Sequence, residues 1–112
     1  MVKKTIEKEA LASLLSELRA SLAEIYGGRL KKLYLYGSYA RGEADGESDI
    51  DVLIVLDQYK RYAEEIERTS QIISSISLKY GVSLSRLFIS QDKWLNGDSL
   101  FLRNSRQEAI AA

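Results

Sequence analysis

Asp49 and Asp51 stand two residues apart at the mouth of an apolar, β-branched run that continues to Leu56. In a strand, residues i and i+2 point the same way, so the two carboxylates would share one face about 6–7 Å apart by Cα. Two unpaired anions that close repel, and each resists burial. A divalent cation would compensate them, as would a neighbouring Arg or Lys; the plainer alternative is a solvated pair on an open sheet edge. With no Cys and no His in the chain, thiolate chemistry, Ser-His-Asp and Cys-His schemes and thiolate or imidazole metal ligands are all excluded. Any metal site must use oxygen ligands, which points to a hard cation such as Mg²⁺, Mn²⁺ or Ca²⁺.

The second candidate is Gly37-Ser38, which directly follows the apolar run Leu30 to Tyr36. A turn from strand into helix leaves backbone N–H groups free, and such groups bind phosphate oxygens. Glycine lets a ligand approach the backbone, and the Ser38 hydroxyl adds a donor. Arg41 lies close enough in sequence to reach the same anion. An ordinary tight turn is the alternative for Gly-Ser taken alone. Together the two features are more specific: phosphate donors end one strand, metal ligands begin the next, and a metal-nucleotide needs that pair side by side.

The elements that would position them follow from periodicity. Ile6, Ala10, Leu11, Leu14, Leu15, Leu18, Leu22 and Ile25 recur at helical spacing and predict a helix from Thr5, as its cap, to Tyr26, stopped by Gly27-Gly28. Strands are expected over Leu30–Tyr36, Asp49–Leu56 and Val82–Ser90. In the second, Ile50, Val52, Ile54 and Leu56 alternate with Asp49, Asp51, Leu53 and Val55. Gly37 to Ser48 reads as a loop with room for one helical turn. A second helix spans about Tyr59 to Tyr80, with Tyr62, Ile66, Ile73 and Ile76 as core candidates, and Gly81 ends it. A helical turn at Asp92–Leu95 and a helix capped by Asp98 or Ser99 and running through Ile110 complete the pattern. The expected fold is α/β (α+β), a small mixed sheet of about three main strands with helices on one face and the other face partly open.

At 112 residues the chain is expected to form a single domain, residues 1–112. Sixteen basic and sixteen acidic residues cancel, leaving no charge footprint for nucleic acid or an anionic membrane. No apolar run approaches the roughly 18 residues of a membrane span, and no signal peptide is visible, so the expected location is the cytoplasm. The run Glu64, Glu65, Glu67 and Arg68 reads as a solvated helix face, Glu43, Asp45 and Glu47 as solvated loop charge, and Trp94 as a packing anchor. Seven tyrosines are expected at core edges or a partner interface.

Gly37-Ser38, ten intervening residues and Asp49-Ile50-Asp51 resemble the signature of the DNA polymerase beta-like nucleotidyltransferase superfamily. The fuller string GSYARGEADGESDIDVLIVL, with its Arg41-Gly42 and Ser48-Asp-Ile-Asp51, is similar to the minimal nucleotidyltransferase (MNT) branch. The resemblance implies a nucleotidyltransferase-like fold and transfer of a nucleoside monophosphate from ATP or another NTP to a hydroxyl, releasing pyrophosphate. It implies nucleotide binding by Gly37, Ser38 and Arg41, with Asp49 and Asp51 as catalytic residues that hold Mg²⁺. One departure is plain. Superfamily members usually carry a third carboxylate on a later strand, as ligand and general base. Here that strand, VSLSRLFIS, holds no acid, and Ser83 or Ser85 lies nearest the expected place. Asp92 follows the strand as a cap or first-turn acid.

Two functions follow from the resemblance. In the first, the chain is a Mg²⁺-dependent protein adenylyltransferase, the antitoxin of a HEPN/MNT toxin–antitoxin pair, whose HEPN-domain partner supplies the acceptor hydroxyl in a homo- or hetero-oligomer. In the second, it is a catalytically degenerate nucleotide-binding module that neutralises that partner by contact. The acid-free strand favours the second and the intact Gly-Ser and Asp-Ile-Asp favour the first.

Overall fold

The structure, a computed structural model, describes residues 6–112; the expected Thr5 cap lies outside them. Helix α1 spans Lys8–Tyr26 and buries Leu14, Leu18, Leu22 and Tyr26 along one stripe. A 3-10 turn at Gly27–Arg29 leads into strand β1, Leu30–Tyr36, and a single helical turn, α2, Gly37–Arg41. Strand β2 is Ile50–Leu56, helix α3 is Tyr62–Tyr80 and strand β3 is Leu84–Ser90. Helices α4, Gln91–Asn96, and α5, Leu100–Glu108, precede a short strand β4, Ile110–Ala111. Of the two expected caps for α5 it is Ser99 that serves, its hydroxyl accepting from the Leu102 amide at 3.2 Å.

The sheet has the order β3-β2-β1-β4. β1 pairs antiparallel with β2 and with β4, while β2 and β3 run parallel. The parallel pair requires a crossover, and α3 provides it. The register of β2 on β3 sets Asp51 opposite Ser85 and Leu53 opposite Leu87.

Period-two alternation in β2 sorts its side chains onto two faces. Ile50, Val52, Ile54 and Leu56 meet Leu14, Leu18, Leu22, Ile73 and Ile76 of α1 and α3. Leu53 and Val55 meet Ile89, Trp94 and Leu102 on the opposite face. That second face, expected to stay partly open, is covered by α4 and α5. Trp94 anchors it, buried, with its ring 5.0 Å from that of Tyr34. β2 is therefore buried on both sides, which is why it reads as a nearly continuous apolar run.

Two expectations about side chains need correction. Tyr62 is not core: it is 38% exposed at the start of α3, where its hydroxyl accepts from the Phe88 amide at 3.2 Å and so covers part of the β3 edge. Glu65 is not on a solvated face: it is 3% exposed and accepts from the Tyr26 hydroxyl at 2.7 Å.

Candidate active site

Asp51 is the second residue of β2 and lies directly across from Tyr36, the last residue of β1. The residue after Tyr36 is Gly37, so the antiparallel ladder carries the Gly-Ser turn to the carboxylates. At Gly37, φ is +74° and an added Cβ would lie 2.5 Å from Oδ2 of Asp51. Glycine is required there twice, for its left-handed backbone and for the close approach of Asp51. The sequence suggested that this glycine makes room for a ligand; in the fold it makes room for the carboxylate.

Ser38 is partly exposed in α2, and its hydroxyl has no hydrogen-bond partner among the described residues. Gly42, at φ +73°, closes the turn, and the Ser38 carbonyl accepts from the Glu43 amide at 2.9 Å. The loop beyond is fastened by Asp45, whose side chain accepts from the Glu47 amide at 2.8 Å while its own amide donates to Ser48 Oγ at 3.0 Å. Asp49 emerges exposed from this turn, one residue before the strand begins. It has no ladder partner because β3 starts at Leu84, while the neighbouring Ile50 amide donates to the Ser83 carbonyl at 2.8 Å.

The carboxylates interact as the spacing required. Burial raises the pKa of Asp51, the charge of Asp49 raises it further, and Arg41 opposes both. The same carboxylate, after burial, helps to raise the Tyr36 hydroxyl. Neither Asp49 nor Asp51 has a hydrogen bond or ion pair among the described residues, so the partly desolvated charge of Asp51 has no direct partner. Two hard oxygen donors in that state fit a divalent cation such as Mg²⁺. Among the described residues no group of three or more acidic side chains is arranged to hold a metal ion. The parallel register gives the reason: the position beside Asp51 on β3 is Ser85, not an acid.

Arg41 is exposed, and its Nε and Nη1 donate to Glu43 at 2.9 Å and to Glu108 of α5 at 3.3 Å. The two acids hold its pKa above the usual range, Glu43 foremost. Sequence reasoning named Arg41 but not its partner Glu108, nor Tyr36 beside Asp51 and Phe101 beside Tyr36. The Phe101 ring stands edge-to-face with Tyr36 at 6.3 Å. The available signal was the separation of Phe101 and Glu108 by seven residues, two helical turns, which puts them on one side of a helix.

Residues 15–99 match the family described as nucleotidyltransferase domain. The chain belongs to that family. A relative from Methanocaldococcus jannaschii that carries the name of a protein adenylyltransferase is 35% identical over 86 residues, 77% of this chain and 76% of the relative. Among solved structures, the toxin–antitoxin MntA–HpeT is similar with a TM-score of 0.54 at 16% identity, covering 96% of this chain and 72% of that one. A toxin–antitoxin structure with AMP-PNP gives a TM-score of 0.55 at 18% identity, covering 84% and 68%. The structural likenesses establish the nucleotidyltransferase fold. Among the described residues no helix is long and apolar enough to cross a membrane.

Proposed function

We propose that this chain transfers AMP from ATP to a hydroxyl on a partner protein, with Mg²⁺ held by Asp49 and Asp51, and that it serves as the antitoxin of a HEPN/MNT-type pair in the cytoplasm. The observation that carries the reading is the close approach of Gly37 to Asp51, which joins the Gly-Ser turn to a pair of carboxylates without direct partners. The name of the Methanocaldococcus relative supports adenylyl transfer. The toxin–antitoxin description and the AMP-PNP of the similar structures support a protein partner and a nucleotide.

In this mechanism the amides of the Gly37-Ser38 turn and the Ser38 hydroxyl hold the terminal phosphates, and Arg41 leaves one of its acids to share their charge. Mg²⁺ at the carboxylates would supply charge neutralisation on the triphosphate and a lowered pKa for the attacking hydroxyl. The acceptor oxygen forms a bond to the α-phosphorus, the bond to the β-phosphate oxygen breaks, and pyrophosphate leaves. Ser85 stands where an acid could have taken the acceptor proton, so that proton passes to solvent. Incubating the chain with its genomic neighbour, labelled ATP and Mg²⁺ tests the reading. Label on the neighbour supports it; nucleotide binding with no transfer overturns the enzyme.

Ser85 also favours a second reading, a module that binds nucleotide and neutralises its partner by contact alone. Asp51→Asn separates the two when wild type neutralises the partner: an enzymatic antitoxin loses neutralisation, a contact-only one keeps it.

A further inference from the structure

Helix α5 lies outside the matched residues 15–99, yet it touches the candidate site at two points. Near its start, the Phe101 ring meets Tyr36 edge-to-face, with centroids 6.3 Å apart and planes at 89°. At its end, Glu108 accepts from Arg41 at 3.3 Å. Both contacts come from one side of the helix, and they bracket Gly37-Ser38. Leu102 and Ser105, on the other side, are buried and hold α5 on the sheet.

Tyr36 is the cross-strand partner of Asp51. Asp51, Tyr36 and Phe101 therefore form a continuous row, from a carboxylate through a partly buried phenol to an aromatic ring that is still 46% exposed. Leu102 and Trp94 close the core beneath it, so beyond its edge contact with Tyr36 the Phe101 ring keeps an open face beside the carboxylates. A nucleotide has a triphosphate that seeks the turn and a flat, apolar-faced base that must lie within a nucleoside's length of it. Phe101 and Tyr36 offer the aromatic surface at that place.

We infer that Phe101, supported by Tyr36, contacts the nucleobase and supplies affinity that the triphosphate cradle does not. This inference rests on the nucleotide-binding reading above, and it can fail while that reading survives. The phosphates would bind through Ser38, Arg41 and a cation held by the carboxylates, and the base would rest against α5.

The test compares Mg²⁺-ATP with Mg²⁺-tripolyphosphate, which lacks base and ribose, by calorimetric titration of the full chain. Phe101→Leu keeps an apolar side chain for packing and removes the ring. Its ATP affinity should fall about tenfold, in the range of base–aromatic stacking, while tripolyphosphate affinity and melting temperature stay at the wild-type values. Phe101→Trp should retain or raise ATP affinity. If Phe101→Leu binds ATP as wild type does, or if wild type binds tripolyphosphate as tightly as ATP, the base contact is wrong and the phosphate site stands. A parallel loss of both ligands in Phe101→Leu would assign Phe101 a structural role and overturn the inference. If wild type binds neither ligand, the nucleotide reading itself fails and the inference falls with it.

Discussion

Charged groups flank β2 at both ends, and the two ends treat them in opposite ways. Beyond Leu56, Asp57 accepts from Arg29 at 3.2 Å and from the Gln58 amide at 2.6 Å, and that amide, then Arg29, holds its pKa below the usual carboxylate range. Nearby, the buried Glu65 is bonded by Tyr26 and, at 3.2 Å, by Arg68. A cavity of about 360 Å³ opens there between Arg29, Tyr59, Lys60 and Arg68, where Arg68 is paired with Glu65 and Arg29 with Asp57. At the start of the strand, Asp49 and Asp51 have no such partners, and Asp51 is pushed up rather than down. One end has been settled by the fold and adds to stability. The other is left without direct partners, a kind of local cost that binding sites characteristically carry.

The largest expected effect is functional and belongs to one end only. Asp51→Asn keeps the shape and removes a charge, and it should abolish the Mg²⁺-dependent part of nucleotide binding together with any transfer. Asp57→Asn, at the other end, should leave both intact. Titration of Mg²⁺-ATP into the two variants checks this. Retention of full Mg²⁺-dependent binding by Asp51→Asn would remove the functional half of the contrast.

Next in size is the element both ends share. Ile54 is fully buried between Leu33 and Phe88. Ile54→Ala should cost about 2–5 kcal/mol, the usual range for emptying a well-packed apolar site, read from chemical denaturation. It should lower stability without selecting either end.

Much of this was legible because β2 is an alternating run and because Gly-Ser and Asp-x-Asp are local patterns. The long helices and the two faces of β2 follow from periods of 3.6 and 2. What could not be read depends on contacts between distant segments. Glu65 looks like one more charge in an acidic run, and only Tyr26, far back in α1, makes its burial possible. The register that sets Ser85 beside Asp51 comes from the crossover, not from either strand alone. β4 is two exposed residues without a pattern of its own. The side of α5 that faces the site was not visible because Phe101 and Glu108 acquire meaning only from Tyr36 and Arg41.

Glu65 therefore sharpens the contrast at an intermediate size. Glu65→Ala strips the Tyr26 hydroxyl and Arg68 of their partner and should cost about 1–3 kcal/mol, the penalty for leaving a buried polar group unsatisfied. Nucleotide binding should be unchanged. Denaturation midpoints with and without Mg²⁺-ATP measure both quantities. If Glu65→Ala weakens nucleotide binding as well, the two ends are coupled and cannot be treated as separate solutions.

The smallest effect tests the comparison by sign rather than size. Burial and Asp49 raise the pKa of Asp51 in the fold, so the folded chain holds that proton more tightly than the unfolded chain. Its ionisation is therefore a penalty, fully present above the folded pKa, lifted as pH falls through it, and absent once both states are protonated. Asp57 runs the other way: with a lowered folded pKa its contribution is stabilising above the unfolded value and is lost as pH falls through the folded one. Without metal at neutral pH, Asp51→Asn should melt slightly above wild type and Asp57→Asn slightly below it. Both gaps should close as the pH drops through the carboxylate range, because acid removes the charge that each substitution removes. Melting curves in chelator across that range provide the measurement. Two gaps of the same sign at neutral pH would mean that Asp51 is as well compensated as Asp57, and the difference between the two ends of β2 would be gone.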